Sequence, residues 1–214
     1  MRTCTLLLRL AAPLQSWGIE SKFDTRRTGR EPSKSGVIGL IAAAMGIRRN
    51  EDEKLAVLAD MRFGVRVDRE GVLLRDYQTA KSEKSAYVTH RYYLSDAAFV
   101  VGLESNDEAL LQNIENALKQ PVFPLFLGRR SCPPVGRLCL GIKQLPLEEA
   151  LKEDGEEAVR YVLETKPEEQ GVLLRDQPIS FNPQHRKYAF RQVREIINIV
   201  KDEPIEHDPM AELE

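Results

Sequence analysis

The spacing of apolar residues changes several times along the first 145 residues, and this succession of patterns leaves few possible folds. The segment from Thr3 to Ala11 is almost continuously apolar, which is typical of a strand buried on both faces. Residues 61–68 and 71–77 alternate apolar and polar side chains, as half-buried strands do. The apolar run at 97–104 predicts a further core strand.

Helical patterns lie between these strands. Ser33 is a candidate N-cap before a run of small and apolar residues that stops at Gly46. Between Asn106 and Lys119 the apolar residues recur on one helical face, and Pro121 follows directly. Residues 51–60 predict another short helix.

The resulting order is strand, helix, strand, hairpin, strand, helix, strand, which is the split βαβ order of a ferredoxin-like domain. We therefore expect an α+β fold in residues 1–145: an antiparallel sheet, two main helices and a protruding hairpin at about residues 76–93. Residues 146–214 are expected to form a smaller acidic α/β extension packed on this domain. Its predicted elements are a helix from Leu147 to about Leu163 and strands near 171–176 and 186–200.

Composition excludes several classes of protein. A hydrophobic fraction of 42% in 214 residues is enough for a core, and no apolar run reaches 18 residues, so we expect no membrane span. The three cysteines, Cys4, Cys132 and Cys139, form no CxxC pair, and neither His185 nor His207 has metal-ligand spacing. We expect a cytoplasmic protein without a bound metal or other cofactor.

The formal net charge of −2 hides an uneven distribution. Residues 1–145 carry 22 basic and 16 acidic side chains, a charge of +6, whereas residues 146–214 carry nine basic and 17 acidic ones, a charge of −8. This distribution excludes a uniformly basic, free-standing RNA-binding protein but allows a protein with one basic face.

The strongest basic cluster precedes the first predicted helix. Lys22, Arg26, Arg27, Arg30 and Lys34 lie within 13 residues, opposed by only two acids, and could form a phosphate-binding surface. A solvated loop with ordinary ion pairs would give the same composition.

Nucleotide hydrolysis at this cluster is excluded, because a P-loop needs a glycine directly before its lysine and this chain has Ser33 there. Ser33, Lys34 and Ser35 nevertheless stand at a predicted helix start, where backbone N–H groups and the helix dipole favour an anion. An RNA phosphate is a suitable anion.

A second basic loop follows a segment predicted to be a strand. It contains Gly128, Arg129, Arg130 and Ser131, and paired arginines can make bidentate contacts to phosphates or base edges. A proline-directed turn with solvated arginines remains the alternative.

The predicted hairpin mixes aromatic and cationic side chains that could stack on bases. His90 with Tyr87 and Lys84 could also serve as the acid–base group of a metal-independent ribonuclease. An exposed hairpin histidine is the simpler interpretation, since no second histidine or paired carboxylate can be placed beside it.

Six motifs together resemble those of the CasD-type subunit of the type I-E CRISPR Cascade complex, in the family's order and over most of residues 1–140. They are Leu14-Gln-Ser-Trp-Gly, Thr25-Arg-Arg-Thr-Gly-Arg, Pro32-Ser-Lys-Ser-Gly-Val-Ile-Gly-Leu-Ile, Leu74-Arg-Asp-Tyr-Gln-Thr, Tyr93-Leu-Ser-Asp-Ala-Ala-Phe and Leu127-Gly-Arg-Arg-Ser-Cys-Pro.

The resemblance implies an RRM-like palm of the RAMP superfamily with a β-hairpin thumb, and a subunit that grips the 5′ handle of the crRNA and caps the backbone filament. It implies contacts with the adjacent backbone subunit and the large PAM-recognising subunit, and with target DNA only through the complex. By position, Arg26, Arg27, Arg30 and Lys34 would face the handle, as would residues 128–131. The thumb would carry Lys81, Lys84, Tyr87 and His90.

Three functions follow as hypotheses. The preferred one is a non-catalytic crRNA-binding subunit, because two arginine loops occur without a convincing catalytic set. The second is a ribonuclease that processes precursor crRNA, as related type I-C subunits do. The third is a scaffold that contacts only protein.

Overall fold

The computed structural model describes residues 3–18, 25–81, 86–153, 158–166 and 168–198. Its strands are β1 (Cys4–Ala11), β2 (Leu14–Gln15), β3 (Thr25–Arg26), β4 (Arg62–Arg69), β5 (Val72–Lys81), β6 (Ala86–Ser95), β7 (Ala98–Ser105), β8 (Cys139–Lys143), β9 (Arg160–Glu164), β10 (Val172–Ser180) and β11 (Lys187–Ile197). Its helices are α1 (Lys34–Ala44), α2 (Asp52–Ala59), α3 (Glu108–Lys119) and α4 (Leu147–Lys152).

The α+β class predicted from the sequence is confirmed by a large sheet in the order β10-β11-β9-β4-β7-β1-β8. Every pair of neighbours in this sheet is antiparallel. Strand β1 lies between β7 and β8 and is covered on both faces, which explains its nearly continuous apolar sequence.

Leu6, Leu8 and Leu10 of β1 face the main core, where they pack with α1 and α3. Leu7 points to the opposite face, into a smaller cluster that contains Leu147 and Leu151 of α4. The alternating direction of side chains along a strand therefore supplies both cores from one segment.

A second, smaller sheet is built around β6. Strands β5 and β6 form a hairpin whose register runs from Val72 opposite Ser95 to Lys81 opposite Ala86. Strand β2 pairs with β6 near the base of the hairpin, and β3 pairs with β6 in parallel at His90 and Arg91. The hairpin predicted at about residues 76–93 thus begins earlier and is joined to the arginine-bearing segment at 25–26.

Two predicted elements are wrong. The helix expected to reach Leu163 ends at Lys152, and Arg160–Glu164 forms β9. Tyr161 and Val162 in this segment have strand propensity and pair with both β4 and β11, so tertiary pairing decides its structure. The segment directly before Leu127, predicted to be a strand leading into the second arginine loop, has no strand structure.

The two strands predicted near 171–176 and 186–200 are present as β10 and β11. Residues 199–214, the end of the predicted acidic extension, lie outside the described residues. In the part of the chain that the structure describes, no helix is long and apolar enough to span a membrane.

Candidate nucleic-acid interface

Two neighbouring cavities lie where α1 meets two arginine-bearing loops and the turn between β10 and β11, residues 181–186. We call residues 25–30 the first arginine loop and residues 127–132 the second arginine loop. The smaller has a volume of about 420 Å³ and the larger about 830 Å³. Both are lined by Ser35, Gly36, Gly128, Arg186 and Tyr188, so they form one continuous surface, which we call the basic groove.

The first arginine loop is held against α1 by Trp17. The Trp17 side chain is buried beside Gly36, where any side-chain carbon would collide with the indole ring. The Trp17 backbone N–H donates to the Thr28 hydroxyl at 2.8 Å, and its carbonyl accepts from Gly29 N–H at 3.0 Å. These bonds place Arg26 and Arg27 along the smaller cavity.

The second arginine loop reaches the first through Gly128. Ser16 N–H donates to the Leu127 carbonyl at 3.1 Å, which brings the two segments side by side. Gly128 has φ +88°, and a Cβ at this position would overlap the Ser16 carbonyl oxygen. Only glycine satisfies both the left-handed backbone and this close approach.

Arg129 joins the two loops. Its Nη2 donates to the carbonyl of Arg26 at 2.8 Å, and its guanidinium lies over the Tyr93 ring, 4.6 Å from the centroid. Burial opposes ionisation of Tyr93, but hydrogen bonds from Ser131 and Arg129 and the Arg129 charge bring its pKa below the ordinary value. The Arg129 side chain is half-buried. Through these contacts it holds Arg26 and Tyr93 in position, and it also adds a positive charge to the groove.

The remaining arginines of the groove are exposed. Arg26, Arg27, Arg130 and Arg186 make no ion pair with any described residue. Within the described ranges, no Asp or Glu lines either cavity. Their charge is therefore available to an anionic ligand.

The sequence predicted an anion such as an RNA phosphate at the start of α1, but protein side chains accept from two backbone N–H groups there. Ser33 caps the helix by accepting from Gly36 N–H at 3.2 Å, whereas Lys34 N–H donates to a carboxylate oxygen of Asp176 at 2.8 Å. The anion bound by this backbone N–H is thus a side chain of β10. Ser33 and Ser35 still line the smaller cavity.

The Lys34 side chain is withdrawn from the surface. It is 1% exposed, and its Nζ lies 3.0 Å from the Glu164 carboxylate. Burial lowers the pKa of Lys34, an effect that Glu164 partly offsets. Lys34 therefore does not face a ligand in the groove, contrary to what its sequence position implied.

Asp176 is itself part of a buried ion pair. Arg191 of β11 donates to its two carboxylate oxygens at 2.6 and 2.9 Å, and the Arg191 guanidinium lies over the Phe63 ring, 5.0 Å from the centroid. This network fixes the start of α1 to the C-terminal strands.

Two further predicted residues, Arg30 and Ser131, line neither cavity of the groove. Arg30 pairs with Glu70 at 2.9 Å, in a cluster where Arg160 also contacts Glu31, Glu70 and Glu195. Ser131 lines neither cavity, and its hydroxyl lies 3.4 Å from the Tyr93 hydroxyl.

The hairpin does not bring Tyr87 and His90, two of the predicted ribonuclease residues, together. Tyr87 and His90 are three positions apart on a regularly paired strand, so their side chains point to opposite faces. His90 instead contacts Tyr77, with ring centroids 5.6 Å apart, and Arg75 at 3.1 Å. Lys81 is exposed, and Lys84 lies outside the described residues.

A metal site was not expected from the sequence. Among the residues that the structure describes, no group of three or more His, Cys, Asp or Glu side chains is arranged to hold a metal ion.

Sequence reasoning missed the contribution of the C-terminal part to the groove. Arg186, Tyr188 and Phe181 line it, although the region they belong to has a net charge of −8. A local signal was present, because residues 185–191 read His-Arg-Lys-Tyr-Ala-Phe-Arg, a basic and aromatic run. The regional average concealed it.

The chain is similar to known proteins of CRISPR systems. A family model described as CRISPR-associated protein (Cas_Cas5) matches residues 5–194. The chain is 38% identical over 159 residues to the CRISPR system Cascade subunit CasD of Escherichia coli (strain K12), which covers 65% of this chain and 71% of that protein.

Two solved structures have similar folds. A protein described as "Crystal structure of Cas protein" is 44% identical, with a TM-score of 0.72 over 90% of this chain and 94% of that one. A chain of a "CRISPR RNA-guided surveillance complex" is 33% identical, with a TM-score of 0.75 over 91% of this chain and 90% of that one. These similarities confirm the resemblance to a CasD-type subunit.

Proposed function

The chain belongs to the CRISPR-associated Cas5 family, and we propose that it is a non-catalytic subunit of a CRISPR RNA-guided surveillance complex that binds the 5′ handle of the crRNA. The similarity to the Cascade subunit CasD and to a chain of a surveillance complex supports this proposal. A cytoplasmic location stays a prediction from cysteine usage.

The observation that carries the proposal is the basic groove itself. It combines exposed arginines that have no carboxylate partner among the described residues with a glycine-rich loop and serine hydroxyls. Arginine neutralises phosphates and releases their counterions, while hydroxyl groups add hydrogen bonds to phosphate oxygens. A bent single strand of RNA matches these groups chemically.

Within this groove we assign different roles to the predicted residues. Arg26, Arg27 and Arg130 bind phosphates, and Ser33, Ser35 and the Gly128 backbone border their path. Arg129 holds the two loops together and adds its charge. Lys34, Arg30 and Ser131 support the surrounding structure through the partners described above.

We further propose the domain roles that the family resemblance implies. Strands β8, β1, β7 and β4 with α1 and α3 form the RRM-like palm of residues 1–145, and the β5–β6 hairpin is its thumb. Residues 146–214 are the acidic extension, whose strands continue the palm sheet. The backbone subunit contacts the thumb, the large PAM-recognising subunit lies nearby, and target DNA is reached through the complex.

The ribonuclease alternative is not favoured. Its three residues were His90, Tyr87 and Lys84, and the opposite orientation of Tyr87 and His90 removes the pair on which acid–base cleavage would depend.

The binding role is tested by the double variant Arg26→Ala/Arg27→Ala. We expect weaker binding to the repeat-derived handle RNA and a salt-dependence slope smaller by about 1.4, since each phosphate contact to a single strand contributes about 0.7. Fluorescence anisotropy over a series of salt concentrations measures both. The charge-matched control Arg137→Ala/Arg175→Ala alters residues that line neither cavity, and an equal change in both variants would contradict the proposal.

The thumb role is tested separately. One face of the hairpin exposes Leu73, Tyr77 and Val88, and apolar surface of this kind marks a protein contact. We expect Tyr77→Ser/Val88→Ser to lower co-purification with the backbone subunit several-fold while the isolated chain keeps its RNA affinity. Val57→Ser, at an exposed position on α2, is the control; unchanged assembly of the thumb variant would refute the assignment.

A further inference from the structure

The larger cavity differs in chemistry from the smaller one. Its walls include the aromatic rings of Phe123, Phe126, Phe181 and Tyr188, together with the cations Arg48, Arg130 and Arg186. The smaller cavity contains mostly arginine, serine and glycine. One end of the groove is therefore polar and cationic, whereas the other offers flat apolar surfaces beside guanidinium groups.

Small residues of α1 leave room for these rings. Gly39 and Ala43 line the cavity, and a Cβ added at Gly39 would lie 3.7 Å from the edge of the Phe181 ring. Also in the lining of this cavity, the Arg48 guanidinium lies 5.2 Å from the centroid of the Phe123 ring. The volume of about 830 Å³ is within the roughly 300–1,000 Å³ typical of ligand pockets.

We propose that the larger cavity binds an unstacked base of the single-stranded RNA whose phosphates lie along the smaller cavity, with Tyr188 and Phe181 as its stacking surfaces. This inference rests on the proposed crRNA-binding function. It assigns a role in RNA recognition to the C-terminal strands.

Two observations favour a base over a protein side chain as the occupant. The cavity is continuous with the phosphate-binding end of the groove, since Arg186 and Tyr188 line both. Aromatic faces flanked by arginines also match a nucleobase, which stacks through its π-face and accepts hydrogen bonds at its edges. An apolar peptide segment would leave Arg48, Arg130 and Arg186 without anionic partners.

The test uses the full chain and single-stranded RNA with the repeat-derived handle sequence, together with a series in which one base at a time is replaced by an abasic site. For the native protein, loss of one particular base should weaken binding about 5- to 100-fold, the effect of losing one base–aromatic stack. Tyr188→Ala should weaken binding to intact RNA by a similar factor. The Tyr188→Ala protein should also bind intact RNA and RNA with that same abasic site with equal affinity.

A cavity-filling variant keeps the test independent of any folding defect in Tyr188→Ala. Gly39→Leu places a side chain in the cavity without removing any aromatic or basic side chain, and it should abolish the same abasic sensitivity. Phe190→Ala removes an exposed aromatic ring of the same strand that lines neither cavity, and it should behave like the native protein.

The outcomes separate this inference from the proposed function. One outcome is that Arg26→Ala/Arg27→Ala lowers affinity and salt slope while every abasic site has the same effect on the native protein as on Tyr188→Ala and Gly39→Leu. In that case crRNA binding stands and the base pocket is wrong. If Tyr188→Ala weakens only assembly with a partner subunit, the cavity holds protein and the inference is overturned. If native protein fails to bind the RNA, both proposals fall.

Discussion

Replacing Asp176 with alanine is expected to lower the free energy of unfolding by about 3–5 kcal/mol, the usual cost of removing one partner of a buried ion pair. Asp176 is fully buried, and the Arg191 side chain beside it is 4% exposed. The variant leaves Arg191 charged without its partner and also leaves Lys34 N–H, at the start of α1, without its acceptor. Denaturant titration followed by circular dichroism measures the change.

A second variant separates the buried charge from other effects of the substitution. Asp176→Ala/Arg191→Met removes both charges, and it should be more stable than Asp176→Ala alone, because an apolar replacement of a buried pair leaves no unpaired ion. Lys54→Ala removes the surface ion pair with Glu51 and should change stability by less than about 1 kcal/mol. A double variant no more stable than the single one would show that the ion pair is not the cause.

The Asp176–Arg191 ion pair also stabilises the end of α1 that borders the groove. Asp176 and Arg191 belong to β10 and β11, yet they hold the end of α1 that carries Ser33 and Ser35. Loss of Asp176 is therefore expected to weaken RNA binding although its carboxylate lies outside both cavities.

The sequence was most informative where local patterns decide structure. Leu6, Leu8 and Leu10 alternate with Leu7 in a run that only a doubly covered strand can bury, and β1 is such a strand. Ser33 and Gly46 correctly bracket α1, because capping depends on residues close in sequence. The two arginine loops were also identified, and both contribute to the groove.

Long-range pairing explains the errors. Nothing near Lys34 in sequence reveals that Glu164, 130 residues away, pairs with it, so the sequence predicts a ligand-facing cation where the structure has a buried one. The helix predicted to reach about Leu163 overlaps β9, because the partners of that strand, β4 and β11, are distant in sequence. Arg186 and Tyr188 were overlooked for the same reason, since only the β10–β11 turn places them beside α1.

Gly128→Ala is expected to disrupt the groove more than any single arginine substitution. The new Cβ would overlap the Ser16 carbonyl oxygen, and the φ of +88° is unfavourable for alanine by about 1–2 kcal/mol in addition. The overlap is with backbone, so it can be relieved only by separating the second arginine loop from residues 16 and 17. We expect handle affinity to fall by at least about tenfold, measured by anisotropy at a fixed salt concentration.

Gly136→Ala is the matched control, because Gly136 has nearly the same backbone conformation, φ +77°, in open surroundings. A Cβ there meets no atom closer than 3.8 Å, the end of the Arg9 side chain. The control therefore carries the backbone strain without the overlap, and it should lower stability by about 1–2 kcal/mol while leaving RNA affinity unchanged. Equal affinities of the two variants would mean that contact between the arginine loops does not shape the RNA-binding surface, since strain alone would then account for both.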